Sequence, residues 1–161
     1  MTFKHEAVRP STTWILVADR ARAKLFAGEW PELSDFHEIE DFAHPEGGAH
    51  QRDVESDRPG LFRTSNGGGS AASDLTDFVH RTATEFAREL VDRLQHGKDT
   101  NAYGRLVIIA PAMLLGLLRD ELPAPLTKLL VADLDKDLTH QNNESIQAHV
   151  RDLLALPSGQ T

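Results

Sequence analysis

Residues 44–73 read HPEGGAHQRDVESDRPGLFRTSNGGGSAAS, and the way this stretch divides the chain decides the fold. It carries neither strand nor helix periodicity over 30 residues. Loops longer than roughly 12–15 residues are uncommon inside a domain unless they have work to do or are disordered. Before the stretch lie short apolar runs of strand length. After it comes the longest amphipathic pattern in the chain, and then strand and helix patterns alternate. That succession predicts an α/β domain spanning 1–161, with a mixed five-stranded sheet flanked by helices in the order β-β-β-long loop-α-β-α-β-α.

Upstream of the loop, Thr12 to Asp19 (TTWILVAD) is β-branched, nearly continuous and apolar, the pattern of a strand buried on both faces. Arg20-Ala21-Arg22 is a short polar turn, and Ala23 to Gly28 returns as a second strand. Leu33, Phe36, Ile39 and Phe42 recur at threefold spacing, which suits a helix, but HEIEDF (37–42) alternates polar and apolar and favours a third strand. Within the loop, Asp57-Arg58-Pro59-Gly60 carries turn chemistry, with proline presetting φ and glycine tolerating its positive range. Asn66 to Ser70 reads as a hinge.

Downstream, Ser73 or Asp74 is placed to cap a helix whose apolar face holds Leu75, Phe78, Val79, Phe86, Leu90, Val91 and Leu94. Gly97 is the residue expected to stop it. Arg105 to Ala110 (RLVIIA) has the unbroken apolar character of a central strand. A short helix over Ala112–Leu122 should end at Pro123 and Pro125. Leu129 to Leu134 reads as the fifth strand, and Asn143 as the cap of a last helix carrying Ile146, Val150, Leu153 and Leu154. Residues 1–10 and 156–161 read as flexible ends.

Composition narrows the function classes. Seventeen basic against 25 acidic side chains give a formal charge of −8, which disfavours general DNA binding through the whole surface. The absence of cysteine removes disulfides, thiol nucleophiles and thiolate metal sites. No apolar run approaches the roughly 18 residues of a membrane span, and Trp14–Ala18 is too short for a signal-peptide core. These readings predict a cytoplasmic protein without a membrane partner.

No complete catalytic motif is present, so the expectation leans away from an enzyme and assigns no catalytic residue, no metal ligand and no cofactor. The glycines Gly47-Gly48 and Gly67-Gly68-Gly69 lack the Walker spacing and the following Lys-Ser/Thr of a phosphate loop. His44, Glu46, His50 and Asp53 are ligand types without a ligand spacing. Asp19 with Asp133, Asp135 and Asp137 is the residue set of a two-metal nuclease, although carboxylates at strand ends also simply meet water, and that reading is favoured. The least favoured function is accordingly a metal-dependent hydrolase or nuclease using Asp19 and Asp133.

Five ordered blocks carry a family resemblance: TTWILVADRARAKLF (12–26), SDRPG (56–60), FARELVDRL (86–94), RLVIIAPAMLLGLLR (105–119) and LDKDLTH (134–140). Together they resemble the bacterial host attachment proteins, described as required for attachment to host cells. The order of elements is also similar to the middle domain of archaeal and eukaryotic class I release factors and their ribosome-rescue relatives. There a three-strand meander feeds a loop bearing Gly-Gly-Gln, and a long helix follows. The corresponding residues here are Gly47-Gly48-Ala49-His50-Gln51, in which glutamine does not directly follow the glycines. That departure argues against peptidyl-tRNA hydrolysis, while the resemblance implies the fold and a link to the ribosome or RNA.

The resulting expectation is a non-catalytic binding and regulatory protein that uses residues 44–73 as its contact surface, with His44, Gly47, Gly48, His50, Gln51, Arg52, Asp57 and Arg58 as candidate binding residues. The alternative is a ribosome-associated factor. The partner would be a protein or a ribosomal RNA surface, and the chain leaves room for a homo-oligomer.

Overall fold

The apolar run at the start of the chain forms β1 (Thr12–Ala18), and the polar Arg20-Ala21 pair turns it into β2 (Arg22–Glu29). β3 (Ser34–Ala43) completes an antiparallel meander, so the alternation of HEIEDF outweighs the threefold spacing around it. A long helix α1 (Gly68–Asp99) then leads to β4 (Arg105–Ala110). Two short helices, α2 (Ala112–Glu121) and α3 (Ala124–Leu129), connect it to β5 (Leu130–Asp135), and α4 (Asn143–Gly159) follows. This computed structural model describes residues 10–45 and 68–159, with side chains from Asp74 in α1 and up to Ala155 in α4. The expected turn at 57–60 lies outside the described residues, as do the leader up to residue 9 and the last two residues of the tail.

The strands form one sheet in the order β3-β2-β1-β4-β5. β1 pairs antiparallel with β2 and parallel with β4, and β4 runs parallel to β5. The sheet is therefore mixed, with its two parallel contacts on one side. Because side chains alternate across a strand, β1 and β4 each feed two cores. Trp14, Leu16, Ala18, Leu106, Ile108 and Ala110 face α1, α2 and α3. Ile15, Val17, Val107 and Ile109 face Ile146 and Val150 of α4. Burial on both faces explains why these two strands read as uninterrupted apolar runs. Each fully buried Leu, Ile or Phe contributes about 1.5–3 kcal/mol relative to exposure.

Three local expectations are corrected, at Ser73/Asp74, Gly97 and Asn143, and the expected helix end at Pro123 gains a second helix beyond it. α1 begins at Gly68, inside the expected hinge and ahead of Ser73 and Asp74. It also runs through Gly97 to Asp99. Gly97 is buried against Trp14, and the helix closes two residues past its end, at Asn101, whose φ is 61°. The Ala102 N–H donates to the Gly97 carbonyl (2.8 Å) and the Asn101 N–H to the Lys98 carbonyl (3.0 Å). This is the paired closure of a Schellman motif, with asparagine in the left-handed position more often filled by glycine. Finally, Pro123 and Pro125 separate two helices: Pro123 is the N-cap of α3 and Pro125 sits in its first turn, where a missing N–H costs nothing. At α4 the cap is Asn142, whose Oδ1 accepts the Ser145 N–H at 2.8 Å, one residue before the expected Asn143.

The far side of the meander is tied to α4. Gln147 Nε2 donates to the Leu33 carbonyl (2.9 Å) and Arg151 Nε to the Glu32 carbonyl (3.0 Å). Leu33 is buried with φ of 59°. No helix among the described residues is long and apolar enough to cross a membrane.

Candidate functional site

The parallel strands β1, β4 and β5 point their carboxyl ends at one edge of the sheet, the place where open α/β sheets gather ligands. β1 ends there in Asp19, β4 in Ala110-Pro111, and β5 in the loop Asp135–Asn142. A cavity of about 440 Å³ opens at this edge, lined by Asp19, Arg20, Ala21, Pro111, Met113, Leu114, Asp137 and His140.

Asp19 is fixed first by the hairpin. Residues Arg20 and Ala21 join Ala18 to its cross-strand partner Ala23, and the Asp19 N–H donates to the Arg22 carbonyl at 2.8 Å. None of these residues has positive φ. The turn therefore lacks the glycine or asparagine that most two-residue hairpins use. Asp19 supplies the compensation. Its Oδ1 accepts the N–H groups of Ala21 (2.7 Å) and Arg22 (2.9 Å), the local side-chain bonding at which aspartate excels.

Its second oxygen faces the loop after β5. Thr139, fully buried, places Oγ1 2.7 Å from Asp19 Oδ2 and 2.7 Å from Asp137 Oδ1. Asp137 Oδ1 also accepts the Thr139 N–H at 3.1 Å. A hydroxyl has one proton, so it donates to one of these carboxylates at a time. His140 Nε2 stands 3.9 Å from Asp19 Oδ2 with its side chain 70% exposed. One ligand-type atom from each of Asp19, Asp137 and His140 lies within 4.8 Å of the others. Two unit charges at that distance repel by about 1 kcal/mol in water and by more as the surroundings dry.

Of the carboxylates weighed from sequence, Asp133 belongs elsewhere. Arg119 grips it with two hydrogen bonds, Nε to Oδ2 at 2.9 Å and Nη2 to Oδ1 at 2.8 Å. That contact, together with the charge of Asp135, raises the Arg119 pKa. Asp19 is joined by Asp137 and His140 instead. His140 and Thr139 were missed because their roles depend on a bond spanning 120 residues. The available signal was the Asp-x-Thr spacing of LDKDLTH at the exit of a parallel strand.

The same edge roots the long loop. His44 follows β3, and its N–H donates to the Ala21 carbonyl at 2.8 Å. Its ring stacks on Phe86 of α1 with centroids 4.6 Å apart and planes 8° from parallel. The ring is buried, and its Nε2 has no hydrogen bond among the described residues. α1 returns the chain from the loop at this end. Its C-terminal end is pinned at the opposite edge by Trp14 against Gly97 and by the Gly104 N–H on the Thr12 carbonyl (3.0 Å). At 1.5 Å per residue, the 32 residues of α1 measure about 48 Å, against about 26 Å for the eight residues of β2. The excess lies past the carboxyl edge, and among the described side chains of α1 full burial begins only at Thr82. Of the residues expected to bind, His44 is therefore placed at the loop root. Gly47, Gly48, His50, Gln51, Arg52, Asp57 and Arg58 lie outside the described residues.

A family model described as protein required for attachment to host cells matches residues 14–150, from β1 into α4. His44, Asp19, Asp137 and His140 all fall inside that match. An uncharacterized protein of Rickettsia prowazekii (strain Madrid E) is 28% identical over 95 residues, 58% of this chain and 63% of the relative. The chain thus spans just under two thirds of the length of the curated relative it matches. With a family match over most of its length, this chain belongs to the family of proteins required for attachment to host cells.

Proposed function

We propose that the protein is a non-catalytic binding and regulatory protein that acts inside the cell and presents residues 44–73 as its contact surface. One observation carries the reading: the His44–Phe86 stack fixes the root of the segment to α1, and α1 continues past the sheet edge on the same side. The segment thus starts from a root packed on α1 and runs into that same helix, the kind of arrangement in which long loops serve recognition. The family description names a phenotype, and a binding protein reaches that phenotype through the partner it controls.

Deleting residues 46–60 should remove the partners recovered by cross-linking pull-down from native lysate while shifting the melting temperature by no more than about 2 °C, since loop shortening costs little closure entropy. An unchanged partner profile would overturn the proposal. Sedimentation with ribosomes, lost on Arg52→Ala with Arg58→Ala, would identify the partner as ribosomal.

A further inference from the structure

We propose that Asp19, Asp137 and His140 form a binding site for a divalent first-row transition ion, of the Mn²⁺ or Zn²⁺ class, at the mouth of the carboxyl-edge cavity. The proposal stands on different observations from those behind the loop reading. Two carboxylates and an imidazole converge from the end of β1 and the loop after β5, with one ligand atom of each within 4.8 Å of the other two. Ligand atoms sharing an ion at about 2.0–2.2 Å sit roughly 3–4 Å apart, so closing the site needs only small side-chain movement.

The freedom to make that movement is distributed unevenly. Asp19 is held by two backbone N–H groups through Oδ1, which leaves Oδ2 directed at Thr139 and toward His140. His140 is the mobile member: it is largely exposed and makes no hydrogen bond among the described residues, so its ring can swing onto an ion held by the carboxylates. Buried Thr139 sits within hydrogen-bond reach of both carboxylates, its hydroxyl proton going to one of them at a time and its N–H to Asp137. Formal charges at the site also favour a cation. Asp19 and Asp137 contribute −2 and Arg20, on the same cavity wall, +1, so the lining is net negative before an ion arrives.

The mixed oxygen and nitrogen donor set selects the metal class. Imidazole with carboxylates suits Mn²⁺, Zn²⁺ and Fe²⁺, whereas Mg²⁺ and Ca²⁺ prefer oxygen alone. With three protein ligands, the ion keeps coordination positions open toward the cavity of about 440 Å³.

The test uses the full chain after chelator treatment, titrated with Mn²⁺ by calorimetry and by loss of the free-ion paramagnetic resonance signal. Wild-type protein should bind one Mn²⁺ with a dissociation constant below about 100 µM, or about −5.5 kcal/mol. Asp137→Asn and His140→Ala should each weaken binding at least tenfold. Both residues lie at the exposed end of the site, so metal-free melting temperatures should match wild type, and added Mn²⁺ should raise the melting temperature of wild type alone. Binding weaker than about 100 µM, or binding that either substitution leaves unchanged, overturns the assignment.

Discussion

Gly97 and Gly116 are both helical glycines, and replacing each with alanine should move stability in opposite directions. In a helix interior alanine is favoured over glycine by about 1 kcal/mol. At Gly97, however, an added Cβ falls 2.4 Å from both Cη2 and Cζ3 of Trp14 and 3.1 Å from Cε1 of Tyr103. Neither ring can retreat easily. Trp14 stacks on Tyr103 with centroids 4.4 Å apart, Arg93 lies over the Trp14 ring, and the Tyr103 hydroxyl donates to the Leu94 carbonyl at 2.7 Å. Overpacking of a well-filled core costs about 1–3 kcal/mol. Contact this deep against two immobile rings belongs at the upper end. Subtracting the helix gain leaves a net loss of about 1–2 kcal/mol, a fall in melting temperature of about 2–8 °C for a chain of this size.

At Gly116 nothing lies within 4 Å of the added methyl, so alanine should raise stability by up to about 1 kcal/mol. Urea denaturation and thermal melts of the two variants test the pair. Trp14→Phe should shrink the penalty at Gly97 by about 1 kcal/mol in a double-mutant cycle. A Gly97→Ala protein as stable as Gly116→Ala would refute the packing account of Gly97.

Two further outcomes follow from the same region. Asn101→Gly should be neutral within about 0.5 kcal/mol, whereas Asn101→Val should cost about 1–2 kcal/mol in urea denaturation, because a β-branched residue resists the left-handed conformation. Burial raises the Tyr103 pKa well above the ordinary phenol value. The folded state therefore keeps its proton while the unfolded state loses it above about pH 10. That contribution to stability is complete below pH 10 and declines as pH rises further, so Tyr103→Phe should flatten the alkaline limb of the stability curve while costing about 1 kcal/mol at neutral pH.

The strands were readable because burial on both faces leaves no polar interruption in WILVA or LVIIA. The third strand was harder, since Leu33 belongs to the turn before it and its threefold spacing with Phe36 is coincidental to the strand. Gly97 was misread for a physical reason: near a helix end, a glycine that terminates and a glycine that accommodates a neighbour look identical along the chain. Only Trp14, 83 positions earlier, separates the two. Asn101 carried the true signal but is the less common residue for that role. The carboxylate site was half legible. Asp19 and Asp137 stood at strand exits as such residues should, but nothing local reveals that Arg119 captures Asp133 or that Thr139 crosses to Asp19. The loop residues from Gly47 to Arg58 were singled out by length and composition, and His44 alone of that set has a described position.

The unequal covering of the two sheet faces bears on how the protein is made. One face has three helices, all encoded between β3 and β5. Among the described residues the other is covered by α4, whose Ile146 and Val150 meet Ile15, Val17, Val107 and Ile109. During synthesis Ile15 emerges roughly 130 residues ahead of Ile146, which at 5–20 residues per second is about 7–26 s. Through that interval Ile15 and Val17 lack the α4 contacts that cover them in the folded chain.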